Sequence, residues 1–194
     1  MLDVIQNRRS IRKYTADEVP RAAIEEILKA GMSAPSSKNR QPWRFVVVTG
    51  NAKAEALCAM ERGLAREKIY PVLPESVPYL GGAENTYRIM QSAPVLIFII
   101  NTLATALTEA LSVEARVSEI CNMQSIGAAI ENMTLEATAQ GLGSLWICDI
   151  FFAYRELCDW LSADGQLCAA LAVGYPSEVP APRPRNPLVV EWRN

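Results

Sequence analysis

The 194-residue chain contains no histidine. That absence removes Ser-His and Cys-His nucleophilic catalysis and histidine-ligated zinc. The five cysteines include no close pair of the C-x-x-C kind, although Cys148, Cys158 and Cys168 are evenly spaced, so no metal site is expected. An excess of one charge is also lacking. Nineteen Lys and Arg against 21 Asp and Glu leave a formal charge of −2, which argues against nucleic acid as a partner. The most apolar run, APVLIFII at 93–100, ends at Asn101 and falls well short of the roughly 20 residues of a membrane span. The opening MLDVIQNRRS has no apolar segment of the secretory type. The expectation is a cytoplasmic protein with free thiols and no membrane partner. Any reactive group would then be borrowed from a cofactor.

What is present reads as one domain over 1–194, long enough for one good core. A helix opens at Pro20, with Ile24, Ile27 and Leu28 as its apolar stripe. RFVVVTG at 44–50 reads as a strand stopped by glycine, and residues 52–68 have a helical pattern. Tyr70–Gly82 is rich in Pro and Gly and reads as a long loop. PVLIFII is apolar on both faces, as a central strand would be. Ser112–Gln140 has no proline and a single glycine, which predicts one helix of about 40 Å whose apolar second half is buried in a core or between subunits. Gly141 suits its C-terminal cap. SLWICDI and LCAALAVGYP follow as strands, with the helical AYRELCDWL between them. Residues 176–194 carry too many prolines for a helix and read as an extended arm, with strand character in PLVVEW. Few strands, each buried on both sides, mixed with helices give an α+β fold, a three-layer α/β/α sandwich.

Three segments could carry chemistry. In NRRSIRKYT, Arg8, Arg9, Arg12 and Lys13 form either a solvated basic stretch or a phosphate cradle completed by Ser10. In PRPR, Arg183 and Arg185 alternate along an extended chain and project to one side. The two patches can share one anion only if the ends of the chain meet. In SAPSSKNRQPWRF, Pro35, Ser36, Ser37, Asn39 and Gln41 offer small and amide groups, either to a polar ring edge or simply to a helix–strand connection. GLGS at 141–144 follows a helix and opens a strand, the reverse of a dinucleotide loop, so capping is its better explanation.

Taken in order, RRSIRKY, APSSKNRQPWRFVVV, GLGSLWI, VGYP and PAPRPRNPL span residues 8–187 and resemble the flavin-dependent nitroreductase family. The resemblance implies an FMN-binding homodimer with active sites at the subunit interface, the C-terminal arm packing on the partner. It implies that Arg8, Arg9 and Ser10 hold the FMN phosphate and ribityl chain, that Arg183 and Arg185 complete that site, and that Arg12 lies at the N1/O2 ring edge. ENTYRIMQSAPVLIF would supply Asn85 to the pyrimidine edge and Arg88 near the ribityl chain or O2. Pro35, Ser36, Ser37, Asn39 and Gln41 would come from the other subunit, and the backbone around Ile147, Cys148 and Asp149 would face N5 and O4. No side chain is expected to be catalytic, because flavin N5 takes hydride from NAD(P)H and passes it to a small electron acceptor such as a nitroaromatic or quinone. The family often has glycine just after Trp-Ile, where this chain has Cys148 and Asp149, and the bulk and charge of Asp149 leave substrate access an open question. Cys148 reads as an inert buried thiol. Tyr70–Gly82 and Ile150–Tyr154 are candidates for shaping the pocket, with Phe151, Phe152 and Tyr154 equally suited to the core. The same fold also admits a specialised flavin reaction, dehydrogenation or flavin fragmentation, or flavin storage without turnover.

Overall fold

The computed structural model describes residues 1–105, 107 and 109–193. Four strands, β1 (Trp43–Val48), β2 (Val95–Asn101), β3 (Gly143–Ile147) and β4 (Gln166–Gly174), form one sheet in the order β1-β2-β4-β3, with every neighbouring pair antiparallel. Six α-helices among the described residues surround it: α1 (Asp3–Asn7), α2 (Arg21–Met32), α3 (Gly50–Ile69), α4 (Leu80–Ser92), α5 (Val113–Ala139) and α6 (Tyr154–Leu161).

The alternation of a strand separates two cores. From β2, Leu96, Phe98 and Ile100 face one side, where they meet Met60 and Leu64 of α3, Met90 of α4 and Leu157 of α6. Val95, Ile97 and Ile99 face the other, against Ile27 of α2 and Ile126, Ile130 and Met133 of α5. The result is the expected three-layer α+β sandwich. A register shift between Ile99 and Ile100 leaves Cys168 and Ala169 of β4 on the same side of the sheet.

Three expectations need correction. Only β2 and β4 are buried along their whole length; β1 and β3 are edge strands, β1 half-buried and β3 exposing Trp146. Tyr70–Gly82 is not all loop. Pro74–Tyr79 forms a 3₁₀ turn, and Gly81 and Gly82 lie in the first turns of α4, whose buried face (Leu80, Ala83, Thr86, Ile89, Met90) outweighs their poor propensity. Pro187–Trp192 forms no strand within the single chain, where the arm is exposed.

The long helix matches its prediction. Ser112 Oγ accepts the Ala115 N–H at 3.2 Å to cap its start. At its end Gly141 takes φ +73°, Gly141 N donates to Thr138 O and Leu142 N to Ala137 O. This is a Schellman closure, which requires the left-handed residue that glycine supplies.

Candidate cofactor site

Just beyond Gly141, edge strand β3 receives the N-terminal segment. Ile11 N donates to Ser144 O at 2.9 Å, and Ser10 forms a parallel bridge with Ser144. A Cβ on Gly143 would lie 2.7–2.8 Å from the Ile11 side chain, so only glycine there lets the N-terminal segment seat on the strand. Further along, Thr15 N donates to Tyr175 O and Ser177 N to Lys13 O, both at 2.9 Å, while Arg12 N reaches Glu178 Oε1 at 2.5 Å. These bonds tie the segment carrying Arg8–Arg12 to the chain leaving β4, and the two ends of the molecule meet.

A cleft of about 660 Å³ opens between them, with Arg8, Arg9, Ser10, Arg12, Arg183 and Arg185 in its wall and no carboxylate among its described lining residues. Arg9 is anchored by donating to Gln6 O and Arg8 O at 2.7 and 2.8 Å. Arg8 Nε stands 3.4 Å from Glu131 Oε1 on α5. Arg12 also lines a second, smaller cleft of about 380 Å³ with Asn85 and Arg88 of α4 and with Lys13. Eight of the sixteen residues expected at the site thus lie along two clefts joined at Arg12.

The loop with Pro35, Ser36, Ser37, Asn39 and Gln41 lines neither cleft. Its conformation is specified all the same: Lys38, Asn39 and Gln41 have φ of +54°, +53° and +47°. Ser36 Oγ accepts from Gln41 N and Asn39 Oδ1 from Gln41 Nε2, while Ser37 N donates to Ser125 Oγ on α5. Left-handed backbone at three non-glycine residues stores strain, the kind of cost that persists where a site needs it.

Ile147, Cys148 and Asp149 stand at the end of β3. Asp149 Oδ2 accepts from Thr86 Oγ1 at 2.5 Å, which holds the carboxylate against α4. Cys148 is exposed, not buried, and its thiol is pushed above the ordinary range by partial desolvation and then by the Asp149 carboxylate. It is therefore protonated at neutral pH, which makes it a poor nucleophile.

No motif pointed to Thr86, nor to the group that holds the turn after β3. Arg66 donates to Glu156 Oε1 at 2.6 Å and to Phe152 O at 3.2 Å, and pairs with the fully buried Glu67, which accepts Leu73 N at 2.7 Å. One guanidinium thus holds α3, α6 and the Asp149–Ala153 turn together. Among the described residues no cluster of His, Cys, Asp or Glu could hold a metal ion, and no helix is long and apolar enough to cross a membrane.

The sequence model of the nitroreductase family matches residues 5–175. The chain belongs to the nitroreductase family. It is 32% identical over 200 residues to an NADH dehydrogenase of Thermus thermophilus, covering 96% of this chain and 92% of that one. A nitroreductase-like protein from Desulfovibrio desulfuricans, solved in complex with FMN, superposes with a TM-score of 0.69 at 28% identity, over 95% of this chain and 90% of that chain. A BluB-like flavoprotein from Clostridium difficile gives 0.76 at 25% identity, over 95% and 94%. In this nitroreductase-family chain, the match ends where the exposed arm begins, so Arg183 and Arg185 lie outside it.

Proposed function

We propose that the protein is an FMN-dependent NAD(P)H oxidoreductase that reduces a nitroaromatic or quinone. One observation carries the reading: Arg8, Arg9 and Arg12 from one end of the chain and Arg183 and Arg185 from the other share a cleft with no carboxylate in its described lining. Five guanidiniums around one space repel each other and suit a phosphomonoester, which presents nearly two negative charges and several acceptor oxygens. The donor set therefore fits FMN. When bound, FMN supplies the ring that accepts and returns hydride.

The protein's own residues bind and orient. Arg8, Arg9, Ser10, Arg183 and Arg185 hold the phosphate end. Arg12, at the junction of the two clefts, holds a positive charge at the ring edge, where reduction leaves a negative one. Asn85 and Arg88 lie along the same edge. The backbone of Ile147–Asp149 faces the reactive side of the ring and needs no particular side chain to donate an N–H. A chain without histidine can work this way, because its side chains move no proton.

The reading includes a homodimer. Val113, Val117 and Ile120 form an exposed apolar row at helical spacing on α5, with exposed Trp146 on β3, and the arm exposes Leu188, Val189 and Trp192. A second copy covering this face would bring its Pro35–Gln41 loop to the cofactor. The test is direct. Purified protein should be yellow or take up FMN, bleach on anaerobic mixing with NADH or NADPH, and regain its colour on addition of a quinone. A colourless protein that cannot be loaded refutes the reading, and a loaded protein that does not bleach is a store rather than a reductase. Light scattering should give a dimer that Val117→Glu converts to monomer.

A further inference from the structure

Asp149 carries a charge that the proposed function does not use. Its carboxylate is half-buried and takes part in no ion pair among the described residues. Arg66, which holds the same turn, is already paired with Glu67 and Glu156. What holds Asp149 is the hydrogen bond from Thr86 Oγ1. Thr86 is buried on α4 along with Ala83, Ile89 and Met90, so the donor is fixed in the core and the carboxylate is fixed with it. The charge is felt locally: after desolvation, it is the second cause that raises the neighbouring Cys148 thiol. A fixed carboxylate with a neutral donor and no cation is an uncompensated negative charge.

A strand and a helix carry this charge to the ring end of the proposed site. β3 runs from Ser144, bridged to Ser10 at the arginine cleft, toward Ile147, about 10 Å further on. Thr86 follows Asn85, which lines the second cleft with Arg12 and Arg88. A carboxylate carbon is two bonds from its own Cα, so the charge stays close to the backbone assigned to face the flavin. We infer that Asp149, fixed by Thr86, tunes the flavin: its negative charge opposes the one that reduction leaves on the ring, works against Arg12 and makes the reduced cofactor a stronger electron donor. The inference rests on the proposed flavin reading and adds to it what sets the reducing power. A unit charge about 7–10 Å away, at an effective dielectric constant of about 20, shifts the reduction equilibrium by about tenfold to a hundredfold.

The test is the midpoint potential of the FMN-loaded protein, read by equilibration with a reference dye while xanthine oxidase supplies electrons from xanthine. Asp149→Asn keeps an acceptor for Thr86 and removes the charge. It should favour the reduced flavin by about tenfold to a hundredfold, a rise of about 30–60 mV for a two-electron couple. Asp149→Glu keeps the charge and should raise the potential by less than half as much. Arg12→Gln should move it the opposite way, and the double variant with Asp149→Asn should lie between the singles. Oxidised FMN, whose ring is uncharged, should bind Asp149→Asn as it binds the parent, and reduced FMN should bind more tightly by the factor that the potential reports. Should Asp149→Asn fail to fold, Asp149→Gly decides, with the same rise expected. A potential unmoved by loss of the charge overturns the inference. So do equal rises in Asp149→Asn and Asp149→Glu, which would mark packing rather than charge; both results leave the flavin reading standing. A protein that never takes up FMN rejects the flavin reading, and the inference with it.

Discussion

Arg8 and Arg185 come from opposite ends of the chain, and removing them one at a time and together tests whether they serve one anion. A hydrogen bond to a charged group contributes about 1.5–3 kcal/mol, so each substitution by alanine should weaken FMN binding by about tenfold to 150-fold. The two should not be equal. Arg8 Nε lies 3.4 Å from Glu131 Oε1, so Arg8→Ala leaves that carboxylate uncompensated near the phosphate. Arg185 sits on the exposed arm, loses more entropy on being ordered, and should fall at the lower end of the range. Arg8→Ala should therefore be the worse single change, and adding Glu131→Gln should recover part of the loss. The double variant should lose at least about 100-fold. Quenching of flavin fluorescence on titrating apoprotein gives the dissociation constant, and repeating it across salt concentrations should show a shallower dependence in each variant. A double variant within twofold of the parent would refute the shared site, and Glu131→Gln without effect on Arg8→Ala would refute the part assigned to the carboxylate.

Gly143→Ala should push Ile11 off β3, lowering stability by about 1–3 kcal/mol and weakening FMN binding; Ile11→Ala in the same chain should restore part of both, as read by denaturant melts and flavin titration. Thr86→Val leaves the Asp149 carboxylate without its donor and should cost about 1–3 kcal/mol, a fall of a few degrees in Tm by calorimetry, whereas Thr86→Ser should be close to neutral. Burial pushes the Cys168 thiol up to about 11. Between the ordinary thiol range and that value the unfolded chain ionises and the folded chain does not, so stability should fall as pH rises from about 9 to 11, by about 1.4 kcal/mol per unit for this group. Cys168→Ala should flatten that slope, which urea melts across the range will show.

Much of the fold was legible because its signals are local. PVLIFII is apolar on both faces because both faces are covered, and Ser112 and Gly141 announce the ends of α5. Tyr70–Gly82 misled because Pro and Gly mark breaks in the backbone but do not report the burial of Leu80 and Ala83, which holds the first turn of α4. The strand character of PLVVEW is a property of side chains, whereas a strand also needs an edge to bond to. At the site, the motifs located the arginines, but their convergence depends on hydrogen bonds across the whole chain, such as Arg12 to Glu178. Thr86 and Arg66 were invisible for a related reason: each matters through a partner distant in sequence, Asp149 and Glu156.

The meeting of the two chain ends has a consequence for how the protein is made. All four strands are complete by Gly174, so the sheet and both cores draw no residue of theirs from the arm. Two of the five arginines that line the larger arginine cleft, Arg183 and Arg185, come from the arm. On the proposed reading the cofactor loads after folding, and a chain cut short before Arg183 would fold into a well-packed but colourless protein. On that reading flavin retention reports on whether Arg183 and Arg185 are present and seated.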